Sequence, residues 1–315
     1  MKHSNLLNIK ISAYVGAILC TALWGTAFPL IRLGYTKFDI AQSDIGSKLL
    51  FAGERFALAG VLVFLFGLIF YKKPPMLRRK DILAVAMLGL VQTTMQYLFA
   101  YIGVGFTTAT NTSILTGTVS IISVVLSGIF FRQDRLTALK IVGCVIGLFG
   151  IIYVNIFDFS VGSVTFFGDI IVLMSSLSGA GGNIITKKIS PHRNPTTVTA
   201  WQLFIGGIAL LIIGLLCGGK IDHTNISGVI ILLWLSLVSS VSFLLWTELL
   251  KRHPVSRITA FMMLIPIFGT IWSGILLGED VLSVNNLISL ALIAAGIVLV
   301  NINIRGKNEH QRCNF

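Results

Sequence analysis

The sequence predicts an all-α membrane protein in which ten transmembrane helices form two inverted five-helix repeats. Three observations lead to this fold class: the composition, the placement of basic residues, and a similarity between the two halves of the chain. Hydrophobic residues make up 55% of the 315 positions, charged residues 11%, and the mean hydropathy is +0.89. A soluble domain has about 25% charged residues. The charge is therefore too sparse to solvate the surface, and lipid must cover most of it.

Ten apolar runs have lengths near the ~20 residues that a helix needs to cross the hydrocarbon core. Backbone polar groups must be paired within each run, which favours helices. A membrane barrel would show segments of ~10 residues with alternating polarity, and the run at 58–70 shows no alternation. The predicted spans are 12–35, 48–70, 82–103, 108–131, 137–156, 167–187, 196–217, 226–249, 257–277 and 284–304.

Basic residues concentrate in alternate loops. Of the 24 Lys and Arg residues, 19 fall in the termini and loops of one side and five on the other side. This split follows the positive-inside rule and predicts a multi-pass protein of the cell (inner or plasma) membrane with both termini cytoplasmic. The net charge of +12 is thus explained by topology, and no nucleic-acid partner is predicted. The first run continues beyond a signal-peptide core, so a retained first helix is expected.

The two halves of the chain are similar when one is shifted by 146 residues. The shift aligns Gly128-Ile129 with Gly274-Ile275, Asp134 with Asp280, and Val154-Asn155-Ile156 with Val300-Asn301-Ile302. This similarity predicts a first repeat at 1–158 and a second at 159–315. Because each repeat holds an odd number of spans, the second copy would enter the membrane inverted. Inverted repeats recur in secondary transporters, with the substrate site near the midplane between the copies.

Three short motifs resemble those of the EamA-type members of the drug/metabolite transporter superfamily. They are Trp24-Gly25-Thr26-Ala27-Phe28 followed by Pro29, then Glu54-Arg55-Phe56, and finally Pro266 followed thirteen positions later by Glu279. The resemblance spans about 12–304. It implies an inner-membrane carrier, commonly an exporter of amino acids or related metabolites, with a central cavity between two halves. The first half departs from the pattern, because Ser120 and Gln133 stand where the family usually has Pro and Glu.

Polar side chains at helical spacing are candidate substrate contacts. In the fourth span one face of the helix is hydroxylated along its length, at Thr112, Thr116, Ser120, Ser123 and Ser127. They could line a cavity, or they could pack and hydrogen-bond against another helix. In the third span Gln92 and Gln96 are four residues apart and could bind a zwitterionic ligand. Hydrogen bonding between helices is the alternative for these two glutamines.

The sixth span has Ser175, Gly179 and Asn183 at steps of four, where glycines suit either local unwinding at a substrate site or tight packing. The remaining candidates are three aromatic residues for a cavity wall and two prolines for hinges: Tyr97, Trp24, Trp246, Pro29 and Pro266. Packing against lipid or core is the alternative for the aromatic residues. A static kink is the alternative for the prolines.

Ionisable residues within the predicted spans all fall near span ends. Arg55 is interpreted as a residue that snorkels to water at the outer boundary, with a place at the substrate entrance as the alternative. Glu248 is expected to pair with a basic residue that follows it, Lys251 or Arg252. Because no carboxylate falls at mid-span, we expect that proton coupling does not run through a deep Asp or Glu.

The chain is expected to be neither an enzyme nor a cofactor protein. The five histidines lie in loops and tails without metal-ligand spacing, and the four cysteines show no close pairing. The working hypothesis is a secondary transporter that exports small polar metabolites, amino acids or related compounds, by alternating access around a midplane cavity. The alternatives are an uncoupled facilitator or exchanger, a membrane-embedded enzyme, and an accessory subunit. Gly143-x3-Gly147 suits a homodimer face or packing within one chain.

Overall fold

The structure, a computed structural model, describes residues 2–72, 74–104, 106, 109–156, 166–277 and 284–302. Within these residues the chain forms helices and short connections and contains no strand. Seven helices are long and apolar enough to cross a membrane, and three shorter apolar helices accompany them, Leu115–Phe130, Ala138–Tyr153 and Leu287–Asn301. The prediction of an all-α, multi-pass membrane protein is therefore confirmed. The inverted arrangement of two repeats stays a prediction.

The described residues form ten consecutive helices, α1 to α10. Eight of them are α1 Lys2–Lys37, α2 Ile45–Tyr71, α4 Ala109–Phe130, α5 Ala138–Ile156, α6 Phe166–Ile189, α7 Pro195–Leu216, α8 Ile226–Arg252 and α10 Val284–Asn301. Two helices change their winding. In α3 a π-helical stretch, Gly89–Met95, separates Ile82–Leu88 from Gln96–Val104. In α9 a 3-10 stretch, Ala260–Leu264, separates Val255–Thr259 from Ile265–Leu277.

Polar residues begin three of the helices. Asp44 accepts a hydrogen bond from Ser47 N at 2.9 Å at the start of α2, and the bonds from Ser47 hold the pKa of Asp44 below its ordinary value. Asn194 and Asn225 cap α7 and α8 in the same way. These caps satisfy amide groups that a helix start leaves unpaired.

Glycines let two pairs of helices approach until their backbones touch. Between α2 and α7, a Cβ on Gly53 would lie 2.4 Å from the backbone nitrogen of Leu211. Between α5 and α10, a Cβ on Gly143 would lie 2.7 Å from the carbonyl oxygen of Gly296. A larger residue at either glycine would push the helices apart. Gly143 therefore packs within the chain, and a homodimer stays a prediction.

The helix ends form two layers of loops. We call the layer with 72, 74–81, 131–137, 190–194 and 253–254 the basic end, and the layer with 38–44 and 217–225 the opposite end.

At the basic end, Asp134 Oδ2 accepts from the Ser256 amide at 2.8 Å, and Asp134 Oδ1 accepts from the Ser256 hydroxyl and from Lys140 Nζ. Lys187 Nζ donates to the carbonyl oxygen of His253 at 2.8 Å. These bonds join α6 and the connection between α4 and α5 to the start of α9.

Candidate functional site

A polar network connects α3, α6 and α7 inside the bundle. Gln92 Oε1 accepts from Gln202 Nε2 at 2.9 Å and from Thr186 Oγ1 at 3.2 Å. Gln92 Nε2 donates to Asn183 Oδ1 at 3.3 Å. All four residues are buried. Each bond joins two helices, so the structure shows interhelical hydrogen bonding for Gln92.

Asn183 is the centre of this network. Its Oδ1 also accepts from Trp246 Nε1 of α8 at 3.0 Å, and its Nδ2 donates to Ser123 Oγ of α4 at 3.1 Å. The same nitrogen lies 3.7 Å from the sulfur of Met262 in α9. One buried carboxamide on α6 therefore contacts side chains of α3, α4, α8 and α9.

The winding of α3 and the small residues of α6 make room for the network. Gln92 lies in the π-helical stretch, a geometry that occurs frequently at functional sites. A Cβ on Gly182 would lie 2.4 Å from Gln92 Cβ, and one on Gly179 would lie 2.9 Å from Gln96 Cδ. Because α6 is a continuous helix through these glycines, they provide close packing rather than local unwinding.

Aromatic rings continue from the network into the bundle. The ring of Trp246 lies 4.9 Å from that of Trp24, which lies 5.5 Å from Phe243. Phe243 in turn lies 6.2 Å from Phe56, and Phe56 lies 4.4 Å from Tyr97. We call these five rings the aromatic row. It places Trp24, Trp246 and Tyr97, three of the predicted site residues, in one continuous row of packed rings.

Several buried polar atoms near the network and the aromatic row have no hydrogen-bond partner. They are Trp24 Nε1, Gln202 Oε1 and Ser242 Oγ. Buried polar groups are paired in the great majority of cases, and each exception calls for an explanation. Atoms of this kind also occur elsewhere, at Ser190 and Asn301, and those beside the network indicate a place where a polar ligand or water could complete the bonds.

Arg55 of α2 packs against the aromatic row. Its side chain is 2% exposed, its Nε donates to Ser239 Oγ at 2.8 Å, and its guanidinium carbon lies 4.9 Å from the centre of the Phe56 ring. Ser239 is near the middle of α8. The interpretation of Arg55 as a snorkelling residue is wrong, because such a side chain keeps its charged group in water. A role for Arg55 toward substrate stays a prediction.

Known proteins match the chain along almost its whole length. The model of the EamA-like transporter family matches residues 11–156 and 166–302. The chain belongs to this family. An uncharacterized transporter of Bacillus subtilis, YoaV, is 24% identical over 292 residues, which cover 92% of this chain and 96% of YoaV. A protein of Salmonella typhimurium named as a probable amino-acid metabolite efflux pump is 24% identical over 294 residues, which cover 90% and 92%.

A solved structure, described only as the crystal structure of a protein, has the same fold as this EamA-like transporter. The TM-score is 0.76 at 15% sequence identity, with 92% of this chain and 97% of that chain covered. At this identity the likeness shows the fold alone. The resemblance that the short motifs indicated is confirmed by the family match, and the chain is a membrane transporter.

The other polar candidates of this EamA-like transporter lie where α3, α4 and α6 meet. The carbonyl oxygen of Gln96 accepts from Ser175 Oγ at 2.7 Å. Ser120 is buried and donates to its own helix at Gly117 O, whereas the side chain of Thr116 is partly exposed. The side chain of Thr112 lies outside the part of the structure that is described, as do Glu279 and Asp280. Substrate contact for these residues stays a prediction.

The two predicted hinge residues lie inside helices. Pro29 is within α1, and Pro266 follows the 3-10 stretch of α9. A proline inside a helix removes one backbone hydrogen bond, and the 3-10 geometry next to Pro266 shows that the winding changes there. A static kink and a moving hinge give the same static geometry, so the hinge role stays a prediction.

Two network residues were not among the residues singled out from sequence, Gln202 and Thr186, whereas Ser123 belongs to the polar stripe of the fourth span. The signal for Gln202 was present, because it is a carboxamide within an apolar run, as Gln92 is. Thr186 lies three residues after Asn183 and therefore on the same face of α6. Their contact with Gln92 depends on how α3, α6 and α7 pack, which periodicity within single helices does not indicate.

A cavity of about 1060 Å³ lies apart from the network, in a crevice beside α2 and α8. Its lining includes apolar residues of both helices and charged residues at the basic end: Leu62, Phe66, Leu237, Val241, Glu248, Lys251 and Arg252. None of the predicted site residues lines it. Since Leu237 and Val241 are exposed, this crevice opens on the outer surface of the bundle. Within it, Glu248 pairs with Arg252 one turn later, which confirms the predicted ion pair.

Proposed function

We propose that this EamA-like transporter exports small polar metabolites, amino acids or related compounds, by alternating access around the network of Gln92 and Asn183. The observation that supports the proposal is the cluster of unpartnered polar atoms beside this network, including Trp24 Nε1 and Gln202 Oε1. Unpaired polar groups are costly in a low-dielectric interior, and a polar substrate would pair them. The Salmonella relative, named as a probable amino-acid metabolite efflux pump, supports both the substrate class and the direction.

The predicted site residues would have two roles, direct contact with substrate and support of the site. Gln96, Tyr97 and Thr116 keep accessible surface, so we propose that they contact substrate directly. Gln92 and Asn183 are buried and bonded to each other, so they would hold the shape of the site. The remaining members of the proposed site are Trp24, Thr112, Ser120, Ser175, Gly179 and Trp246.

Alternating access is supported by a difference along the interface of α4 and α9. Near the basic end α4 packs against Val255–Thr259 and Ala260–Leu264, whereas its contacts with Ile265–Leu277 are few. The bundle is therefore closer packed between these helices at its basic end. If basic loops are cytoplasmic, this arrangement is outward-facing. Movement at Pro266 and Pro29 would then open the basic end, after the bond between Asp134 and Ser256 is broken.

The helix pairing supports the proposed two repeats at 1–158 and 159–315. The closest pairs are α2 with α7 and α5 with α10. In a chain of five plus five helices, each of these pairs consists of equivalent helices from the two halves. This is the pairing expected when two copies are related by an axis in the membrane plane.

An uncoupled facilitator or exchanger is the second candidate function. The network that we describe consists of carboxamides, hydroxyls and an indole, without a carboxylate that could bind and release a proton. Among the described residues there is also no group of three or more His, Cys, Asp or Glu placed to hold a metal ion. Flux measured with and without a pH gradient distinguishes the two candidates.

Flux into proteoliposomes tests the proposed function. The purified protein would be reconstituted and screened with radiolabelled amino acids and nucleobases. Saturable flux is expected, and Gln96→Leu should reduce it strongly because the variant removes a partly exposed carboxamide from the site. Gln42→Leu is the matched control, because Gln42 is an exposed residue of the opposite end. Equal flux in both variants would place the site elsewhere.

Cysteine labelling tests whether water reaches the site. Thr116→Cys would be made in a background in which Cys217 and Cys313 are serine, since Cys20 and Cys144 are already buried. Membrane-impermeant thiol reagents should label position 116 from the opposite end in the state described here. A position 116 that no reagent reaches from either side, together with no flux for any compound, would exclude the transport proposal.

A further inference from the structure

We infer that Arg55 binds a carboxylate group of the transported compound, which assigns the substrates to organic acids and zwitterions rather than to amines or neutral polar molecules. This inference rests on the proposed transport function. It follows from the burial of the guanidinium group, from the bonds that the group leaves open, and from the residues around it.

The guanidinium group has more donors than the structure uses. It carries five N–H groups, and Nε donates to Ser239 Oγ. The Ser239 hydroxyl donates in turn to the carbonyl oxygen of Leu235 at 2.9 Å, so its acceptor side faces Arg55. The two terminal nitrogens form the planar fork that matches a carboxylate in two parallel hydrogen bonds. The ion pairs among the described residues do not include Arg55.

The acidic residues nearest to Arg55 along the chain are engaged elsewhere. Glu54 Oε2 lies 3.0 Å from His223 Nε2 in the loop of the opposite end. Asp44 caps α2 and interacts with Lys48. The charge of Arg55 is therefore uncompensated by these neighbours, and a buried cation without a counter-ion is strongly disfavoured. An anion from outside the chain would remove that cost.

Three tyrosines complete an environment suited to an anion. The rings of Tyr97 and Tyr101 lie 6.5 Å apart, and the Tyr97 ring lies 4.4 Å from the Phe56 ring on which the Arg55 guanidinium packs. The Tyr35 hydroxyl is buried next to that of Tyr101. Each of the three residues keeps some accessible surface. Phenol hydroxyls can donate to a carboxylate, and would add to the bonds from Arg55.

The position of Arg55 relative to the aromatic row favours a substrate group over a permanent inorganic ion. The guanidinium lies on Phe56, whose ring contacts Tyr97, and the row continues from there to Trp246 and the network. Of these rings, Tyr97 and Trp24 keep accessible surface, and an organic acid bound at Arg55 could place its apolar part against them. An inorganic ion would make no such contact.

Pairs of acids and their carboxamides test the inference on the full-length protein. The probes are L-leucine, L-threonine and L-phenylalanine, each beside its own carboxamide, which lacks the negative charge. Wild type should transport at least one acid with a kcat/KM at least about 30-fold above that of its amide, because a site built for a group rejects the analogue that lacks it. In Arg55→Gln this ratio should fall to near one. Lys220→Gln, which removes an exposed cation of the opposite end, should keep the wild-type ratio.

A second readout separates this inference from the transport proposal. In detergent, the acid but not the amide should raise the unfolding temperature of wild type, and Arg55→Gln should lose this difference. Acid-specific stabilisation without flux would support the role of Arg55 and contradict transport. Equal treatment of acid and amide by wild type, or an acid preference that survives in Arg55→Gln, would overturn the role of Arg55 and leave transport standing. Wild type that neither transports nor is stabilised by any of the acids overturns the inference.

A conservative variant keeps the test decisive if Arg55→Gln does not fold. Arg55→Lys retains the charge but replaces the two-pronged fork by a single ammonium group. Its preference for the acid should fall about tenfold, through a higher KM rather than a lower kcat. A preference equal to that of wild type in folded Arg55→Lys would contradict bidentate binding of a carboxylate.

Discussion

The two ends of the bundle are held together by different kinds of bonds. At the basic end, Asp134 is 4% exposed and accepts hydrogen bonds from Ser256 of α9 and from Lys140 of α5. At the opposite end Glu54 pairs with His223, and the histidine side chain is 48% exposed. Buried, charge-assisted bonds are stronger than exposed ones. The ionisable side-chain pairs therefore hold the basic end firmly and the opposite end only lightly.

This difference indicates where the transport cycle would need energy. Breaking the bonds of Asp134 leaves a buried charge without its partners, so the closed end can open only if other contacts compensate. Substrate binding at the network and at Arg55, both of which face the middle of the bundle, is the source that we propose. The pair of Glu54 and His223 at the opposite end needs less energy to break.

Asp134→Ala should have the largest effect, because it removes the bonds that distinguish the basic end from the opposite end. The variant removes every acceptor oxygen of the side chain from Ser256 and Lys140 at once. We expect a loss of about 3 kcal/mol in the free energy of unfolding, because removing one partner of a buried pair leaves the other uncompensated. Thermal or chemical unfolding in detergent measures this loss.

Labelling of position 116 in the same background reports on access. With Asp134→Ala, Thr116→Cys should become reactive from the basic end. Asp222→Ala is the matched control, since Asp222 is an exposed residue of the opposite end, and should change neither stability nor labelling. Unchanged stability in Asp134→Ala would mean that the contacts between α4 and α9 alone keep the basic end closed.

The positions of the helices could be predicted from sequence, whereas their irregular turns could not. The prediction of spans at 196–217 and 226–249 agrees with α7 at Pro195–Leu216 and α8 at Ile226–Arg252. Apolar length determines such spans directly. The π-helical turn of α3 has no comparable signal, because it depends on close contact with Gly182 and Gly206 of neighbouring helices.

The candidate site could be predicted only in part. Gln92, Asn183 and Trp246 were found because polar or aromatic side chains in apolar runs need a partner or a ligand. Their mutual bonds are a property of tertiary packing. The prediction that the Arg55 side chain reaches water was wrong because hydropathy gives only the position of a residue along its span, here near the end. The direction of the side chain depends on its hydrogen bond to Ser239 on α8. Depth along one helix does not determine burial between two.

Acid should destabilise the basic end through His253, and this effect adds a second measure of the difference between the two ends. Burial, followed by the nearby charges of Arg257, Lys187 and Arg252, lowers the pKa of His253 below its ordinary value. The unfolded chain therefore binds a proton more readily than the folded protein as pH falls through about 6.5. The folded state loses stability in that window and regains it at higher pH. The effect should be smaller than that of Asp134→Ala, because His253 keeps accessible surface.

The unfolding temperature at pH 7.5 and pH 5.5 measures the contribution of His253. His253→Gln should reduce the difference between the two pH values. His192→Gln is the control, because His192 is an exposed histidine of the same end. The same pH difference in wild type and His253→Gln would show that other groups cause the acid sensitivity.

Glu54→Gln should have the smallest effect, and it tests whether the opposite end is as lightly connected as the structure indicates. The variant keeps a hydrogen-bonding side chain next to His223 and removes the charge of a partly exposed pair, so the loss in the free energy of unfolding should be at most about 0.5 kcal/mol. Labelling of position 116 from the opposite end should stay unchanged. A loss as large as that of Asp134→Ala would mean that both ends are firmly held. The state described here would then be closed at both ends, and opening to either side would require a comparable rearrangement.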